Sequence, residues 1–169
     1  MLKQDVEKAI ISQIGKEIYS SNLYLSMASW AQSHGFGGTA QWLYAQADEE
    51  RLHMLKFVNY VNDRGGHAII SATDAPPAQF KGVQQIFEQV LEHELMISDS
   101  INHMVETCMV AKDFTTLNWL QWFVNEQIQE EASVSIILDK LKLLDGQNMY
   151  IFDRDVFALR QSAAAKETI

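Results

Sequence analysis

The sequence predicts an all-α protein: an up-down-down-up four-helix bundle with one long crossover between its second and third helices, plus a short C-terminal fifth helix. Three observations carry this. The 169 residues include only two prolines and eight glycines, and these cluster, leaving long stretches without a helix breaker. Four of those stretches are periodic over roughly 25 to 30 residues, ~40 Å at ~1.5 Å per residue. Of the three connections between them, two are short and one has 16 residues.

The first helix runs from about Lys3 to Ser33 and ends at HGFGG. The second runs from about Thr39 to Arg64 and ends at Gly65-Gly66, a strong stop signal. HGFGG is short, so these two helices are antiparallel neighbours. The segment GHAIISATDAPPAQFK, residues 66–81, follows. Extended at ~3.3 Å per residue it spans ~50 Å, the length of a helix, so it returns the chain and makes helices two and three parallel. The third helix covers about Gly82 to Ala111. The fourth begins near Phe114, with Asp113 as N-cap, and stops near Gly146. A short fifth helix covers about Asp153 to Gln161 with Asp153 as its cap, and residues 162–169 form a tail. The bundle therefore occupies about residues 3–146 of one domain spanning 1–169.

About half the residues are apolar (47%), enough to bury a core. The formal charge of −9 disfavours a nucleic-acid partner, since phosphate binding needs Lys and Arg surfaces. Cys108 is the only cysteine, so no disulfide framework forms within the chain. MLKQDVEKAI lacks the apolar run of a signal peptide, and no segment reaches ~18 consecutive apolar residues. No membrane role and a cytoplasmic location are expected.

Some helical acids have apolar residues seven positions away on both sides, about two turns each way, which places them on the inward stripe. Glu17 lies between Ile10 and Tyr24, Glu50 between Leu43 and Phe57, Glu94 between Phe87 and Ile101, and Glu130 between Phe123 and Ile137. Each long helix thus points one acid inward near mid-length. Glu131, between Val124 and Leu138, passes the same test without an evident role, whereas Glu49 and Glu126 fail on one side.

Four carboxylates in a low-dielectric core repel one another, and a multivalent cation removes the difficulty. Glu50-x-x-His53 sets carboxylate and imidazole side by side at i and i+3. Di-iron carboxylate bundles use single glutamates from two helices and Glu-x-x-His from the other two. Here helix four offers only Gln127-x-x-Glu130, with Gln127 between Leu120 and Val134. Oxygen donors with a single imidazole suit iron or manganese.

The stretches IYSSNLYLSM, QADEERLH, FEQVLEHE and LQWFVNEQIQEE together make the chain resemble a bacterial non-haem ferritin over nearly its whole length. The resemblance implies a shell of 24 identical subunits that oxidises Fe(II) with O2 or H2O2 and stores ferric mineral. It implies that Glu17 and His53 ligate one iron, Glu94 and Glu130 a second, and Glu50 bridges them. Gln127 becomes a polar partner of the second iron, and Tyr24 a neighbouring phenol. Glu49 and Glu126 match a third, cavity-side iron site. Gln129 stands where that pattern often has a glutamate, so the third site is expected to be weakened or reshaped around Glu130. No haem is expected, because Arg51 and Leu52 stand where a haem-ligating methionine would lie.

Two other readings stay open on the residues: a di-iron oxidase or oxygenase acting on an organic substrate, and a non-catalytic iron buffer. His34, His67, His93 and His103 read as surface or loop histidines. Met27, Trp119, Trp122 and Phe123 read as bundle core.

Overall fold

The computed structural model describes residues 1–164, with side chains through residue 159. The final residues of the expected tail, 165–169, lie outside the described residues. Helices α1 (Gln4–Ser33), α2 (Gly37–Asp63), α3 (Val83–Ala111) and α4 (Phe114–Leu144) form the bundle, and α5 (Met149–Ala164) packs against α2 and α4.

Side-chain hydrogen bonds fix the directions. Ser21 on α1 reaches the carbonyl of Ala47, and Tyr44 on α2 reaches Gln32, so α1 and α2 run antiparallel. Ser20 meets His93 while Ser100 meets Gln13, so α1 and α3 are antiparallel as well. Gln46 meets Glu130 and Tyr60 meets Thr116, which sets α2 against α4. The order is up-down-down-up, and residues 64–82 make the crossover.

The interior is two apolar clusters with a polar belt between them. Val6, Ile10, Ile14, Phe57, Val61, Ile97, Ile101, Leu120 and Phe123 belong to one cluster. Leu23, Met27, Leu43, Phe87, Val90, Val134 and Ile137 belong to the other. In each helix the inward acid falls where one cluster ends and the other begins. Stacked Phe57 and Phe123, with ring centroids 4.1 Å apart, close the belt on one side. Replacing a ring like Phe57 with Ala costs about 3–5 kcal/mol, so the belt has stiff walls.

Asp113 caps α4 as expected, accepting from the Thr116 N–H at 3.1 Å and its hydroxyl at 2.8 Å. Burial alone would raise its pKa, but the Thr116 hydrogen bonds and the Arg64 charge outweigh it and hold the carboxyl low.

Helix boundaries differ from the sequence reading, and α5 runs on to Ala164, through the first residues of the expected tail. Helix α2 starts at Gly37 and α5 at Met149, so Asp153 is not the cap of its own helix. Its carboxylate instead accepts the Gly38 and Thr39 N–H groups at 2.9 and 2.8 Å, capping the first turn of α2 from across the molecule. A Cβ on Gly38 would lie 1.6 Å from the Asp153 carbonyl oxygen, so this approach needs glycine.

Candidate metal centre

Glu17, Glu50, Glu94, Gln127, Glu130 and His53 are all buried in the polar belt. Glu50 Oε2 lies 3.3 Å from His53 Nδ1, one turn along α2. Ligand atoms of Glu17, Glu50 and His53 lie within 4.8 Å of one another, close enough to share one ion. Glu17 Oε1 accepts from Gln13 at 2.8 Å, while its buried Oε2 finds no donor unless a proton is shared with the neighbouring Glu50 carboxyl. A buried carboxylate oxygen left so is costly in a protein-only environment and is what a cation would satisfy.

The other side of the belt is more fully hydrogen-bonded. Glu94 Oε1 accepts from the Tyr24 hydroxyl, and Oε2 from Gln127 at 3.1 Å. Glu130 Oε2 accepts from Gln46 at 2.7 Å. Glu131 sits half-buried and accepts from Ser98, which accounts for its place on the apolar stripe.

The electrostatics match this crowding. Burial first, and then the Glu50 charge, hold Glu17 well above the usual carboxylate range. Burial first, then Glu94 and Glu130, does the same to Glu50. Burial also raises Glu94, against hydrogen bonds from Tyr24 and Gln127 that lower it. Tyr24 is pushed up by burial and by Glu94. Glu17, Glu50 and Glu94 therefore each hold a proton more tightly than an exposed carboxyl does.

Glu49 and Glu126 are half-buried and form a second group with His53, again with ligand atoms within 4.8 Å. Gln129 is exposed. Trp122 is not core: it is 40% exposed, meets the His53 ring edge-on at 5.5 Å, and carries the Lys56 ammonium 2.9 Å above its ring. Trp119 is half-buried and stacks on Tyr60.

His34, His67 and His103 are exposed, whereas His93 is buried and its Nε2 lies 2.7 Å from the Ser20 hydroxyl. Burial lowers its pKa to about 4. Sequence reasoning also missed Gln13 and Gln46, both fully buried. Each stands four residues before an inward glutamate, on the same helix face, and that spacing was the available signal.

A family model described as a ferritin-like domain matches residues 7–144. The chain belongs to the ferritin family. It is 42% identical over 165 residues to a probable bacterial non-haem ferritin-like protein of Haemophilus influenzae, covering 96% of this chain and 100% of that one. It is 40% identical over 156 residues to a bacterial non-haem ferritin of Campylobacter jejuni, covering 91% and 93%. Among solved structures, an open pore ferritin from the hyperthermophilic archaeon Archaeoglobus fulgidus matches with a TM-score of 0.90 at 38% identity, covering 92% of this chain and 96% of that one. This ferritin is therefore of the bacterial non-haem kind, as the four motif stretches suggest. No helix among the described residues is long and apolar enough to cross a membrane.

Proposed function

We propose that this ferritin stores iron by oxidising Fe(II) at a two-iron centre within each subunit and depositing ferric mineral in the cavity of a 24-subunit shell. Family membership implies iron storage. The observation that carries the ferroxidase reading is the buried group of Glu17, Glu50 and His53, with Glu94 and Glu130 across the same belt.

Iron is the substrate here. Glu17 and His53 bind one Fe(II), Glu94 and Glu130 the second, and Glu50 bridges. Gln127 steadies Glu94, and Tyr24 holds the other Glu94 oxygen. Two Fe(II) give two electrons, which reduce O2 with two protons to H2O2, or H2O2 with two protons to two waters. The crowded acids favour the higher charge of Fe(III) electrostatically, while the two apolar clusters exclude bulk water. Glu49 and Glu126, beside His53, form an outer site for a third, weaker iron: exposed Gln129 contributes no carboxylate, and the single free lone pair of the His53 imidazole is taken by the inner iron. The cytoplasm is the proposed location.

Replacing Glu50 with Ala tests the assignment. Stopped-flow oxidation of Fe(II) should lose its fast phase, because both irons lose a ligand. Wild-type initial rates in that variant would overturn the bridging role.

A further inference from the structure

We propose that Gln46 is a positioning residue that commits Glu130 to the inner metal pair, an inference that rests on the two-iron reading above. Gln46 has no exposed surface, and its amide Nε2 donates to Glu130 Oε2 at 2.7 Å. It lies on α2, one turn before Glu50, while Glu130 lies on α4. The hydrogen bond therefore ties ligands of two helices into one frame.

The chemistry of the amide suits this task. Lysine or arginine in its place would add a positive charge beside a cation site, and an acid would add repulsion to four carboxylates. A neutral donor orients Glu130 without changing the charge of the belt. Holding one carboxylate oxygen removes rotational freedom that Glu130 would otherwise lose on binding metal. Gln13 holds Glu17 Oε1 in the same manner at 2.8 Å, and Gln127 holds Glu94 Oε2 at 3.1 Å, so all three non-bridging carboxylates are oriented by amides.

The test is an anaerobic Co(II) titration of the assembled protein, followed by calorimetry and visible absorbance. Wild type should bind two Co(II) per chain at the inner pair in resolvable steps. Gln46→Met keeps length and bulk but removes the donor. It should leave the first step unchanged and weaken the second by about 10–100-fold, the usual range for losing a partner of a metal ligand. In a Glu130→Ala background, Gln46→Met should change nothing further, because its effect runs through Glu130. Equal weakening of both steps, no weakening, or the same loss without Glu130 would overturn the proposal. A wild-type protein that binds no Co(II) at the inner pair would overturn the two-metal reading itself, which separates that failure from a failure of Gln46.

Discussion

Glu50 and His53 stand on consecutive turns of α2 with Oε2 and Nδ1 3.3 Å apart, both buried, and the carboxyl held well above its ordinary pKa by burial and then by Glu94 and Glu130. A side chain in that position opposes folding of the metal-free protein at neutral pH. The penalty is present where Glu50 is driven towards ionisation and disappears as pH falls through its raised folded value towards ~4.3, where the unfolded chain also binds the proton. Glu50→Gln should therefore stabilise the metal-free protein at pH 7 by about 1–2 kcal/mol while removing fast Fe(II) oxidation. Denaturant unfolding of both proteins after chelation checks it, and a destabilised Gln variant would count against the electrostatic account.

The Tyr24 hydroxyl takes one oxygen of Glu94. If its task is to orient that ligand, Tyr24→Phe should slow Fe(II) oxidation by about tenfold and weaken the second metal-binding step. A purely structural tyrosine would show only a stability loss of about 1 kcal/mol, with oxidation unchanged. Oxidation rate and unfolding midpoint measured on one preparation separate the two.

Asp153 caps α2 from α5, and Gly38 lets the two backbones touch. Asp153→Ala should cost about 0.5–2 kcal/mol, the range for a lost helix cap. Gly38→Ala should cost more and displace α5, because the new methyl meets backbone rather than a movable side chain. Thermal unfolding and amide exchange in α5 read both, and a neutral Gly38→Ala would contradict the close approach.

Cys108 is fully buried, and burial followed by the Asp113 charge pushes its thiol up to about 11. The thiolate is the reactive form, so at pH 8 the native protein should react with an aromatic disulfide reagent far more slowly than the denatured chain. Because burial raises the folded pKa, the neutral thiol costs no stability below the unfolded value of ~8.5, and a penalty grows as pH rises from there towards 11. Reaction of the native thiol at the denatured rate would contradict this burial.

Most of the architecture was legible because helix periodicity and loop length are local properties of the chain. One long connection among short ones determined the direction of every helix, and apolar residues seven positions either side located Glu17, Glu50, Glu94 and Glu130 in the interior. Partners that meet across helices were not legible. Asp153 looked like the cap of its own helix because capping chemistry is the same whichever helix receives it. His93 looked like a surface histidine because its partner Ser20 lies 73 positions away. Gln46 does not stand out in the sequence because the residues seven positions either side of it, Thr39 and His53, are polar. Trp122 reads as core by residue type, whereas in the fold it lies 40% exposed at the rim beside His53 and Lys56.

In the proposed function the buried belt binds and oxidises paired iron. An anaerobic Fe(II) titration of the metal-free assembled protein, followed by an O2 pulse, tests it most directly, with near-ultraviolet absorbance reporting ferric product. Two tightly bound Fe(II) per chain, a weaker third, and rapid oxidation of the bound pair on mixing are expected. No saturable binding, or binding without rapid oxidation, would contradict it.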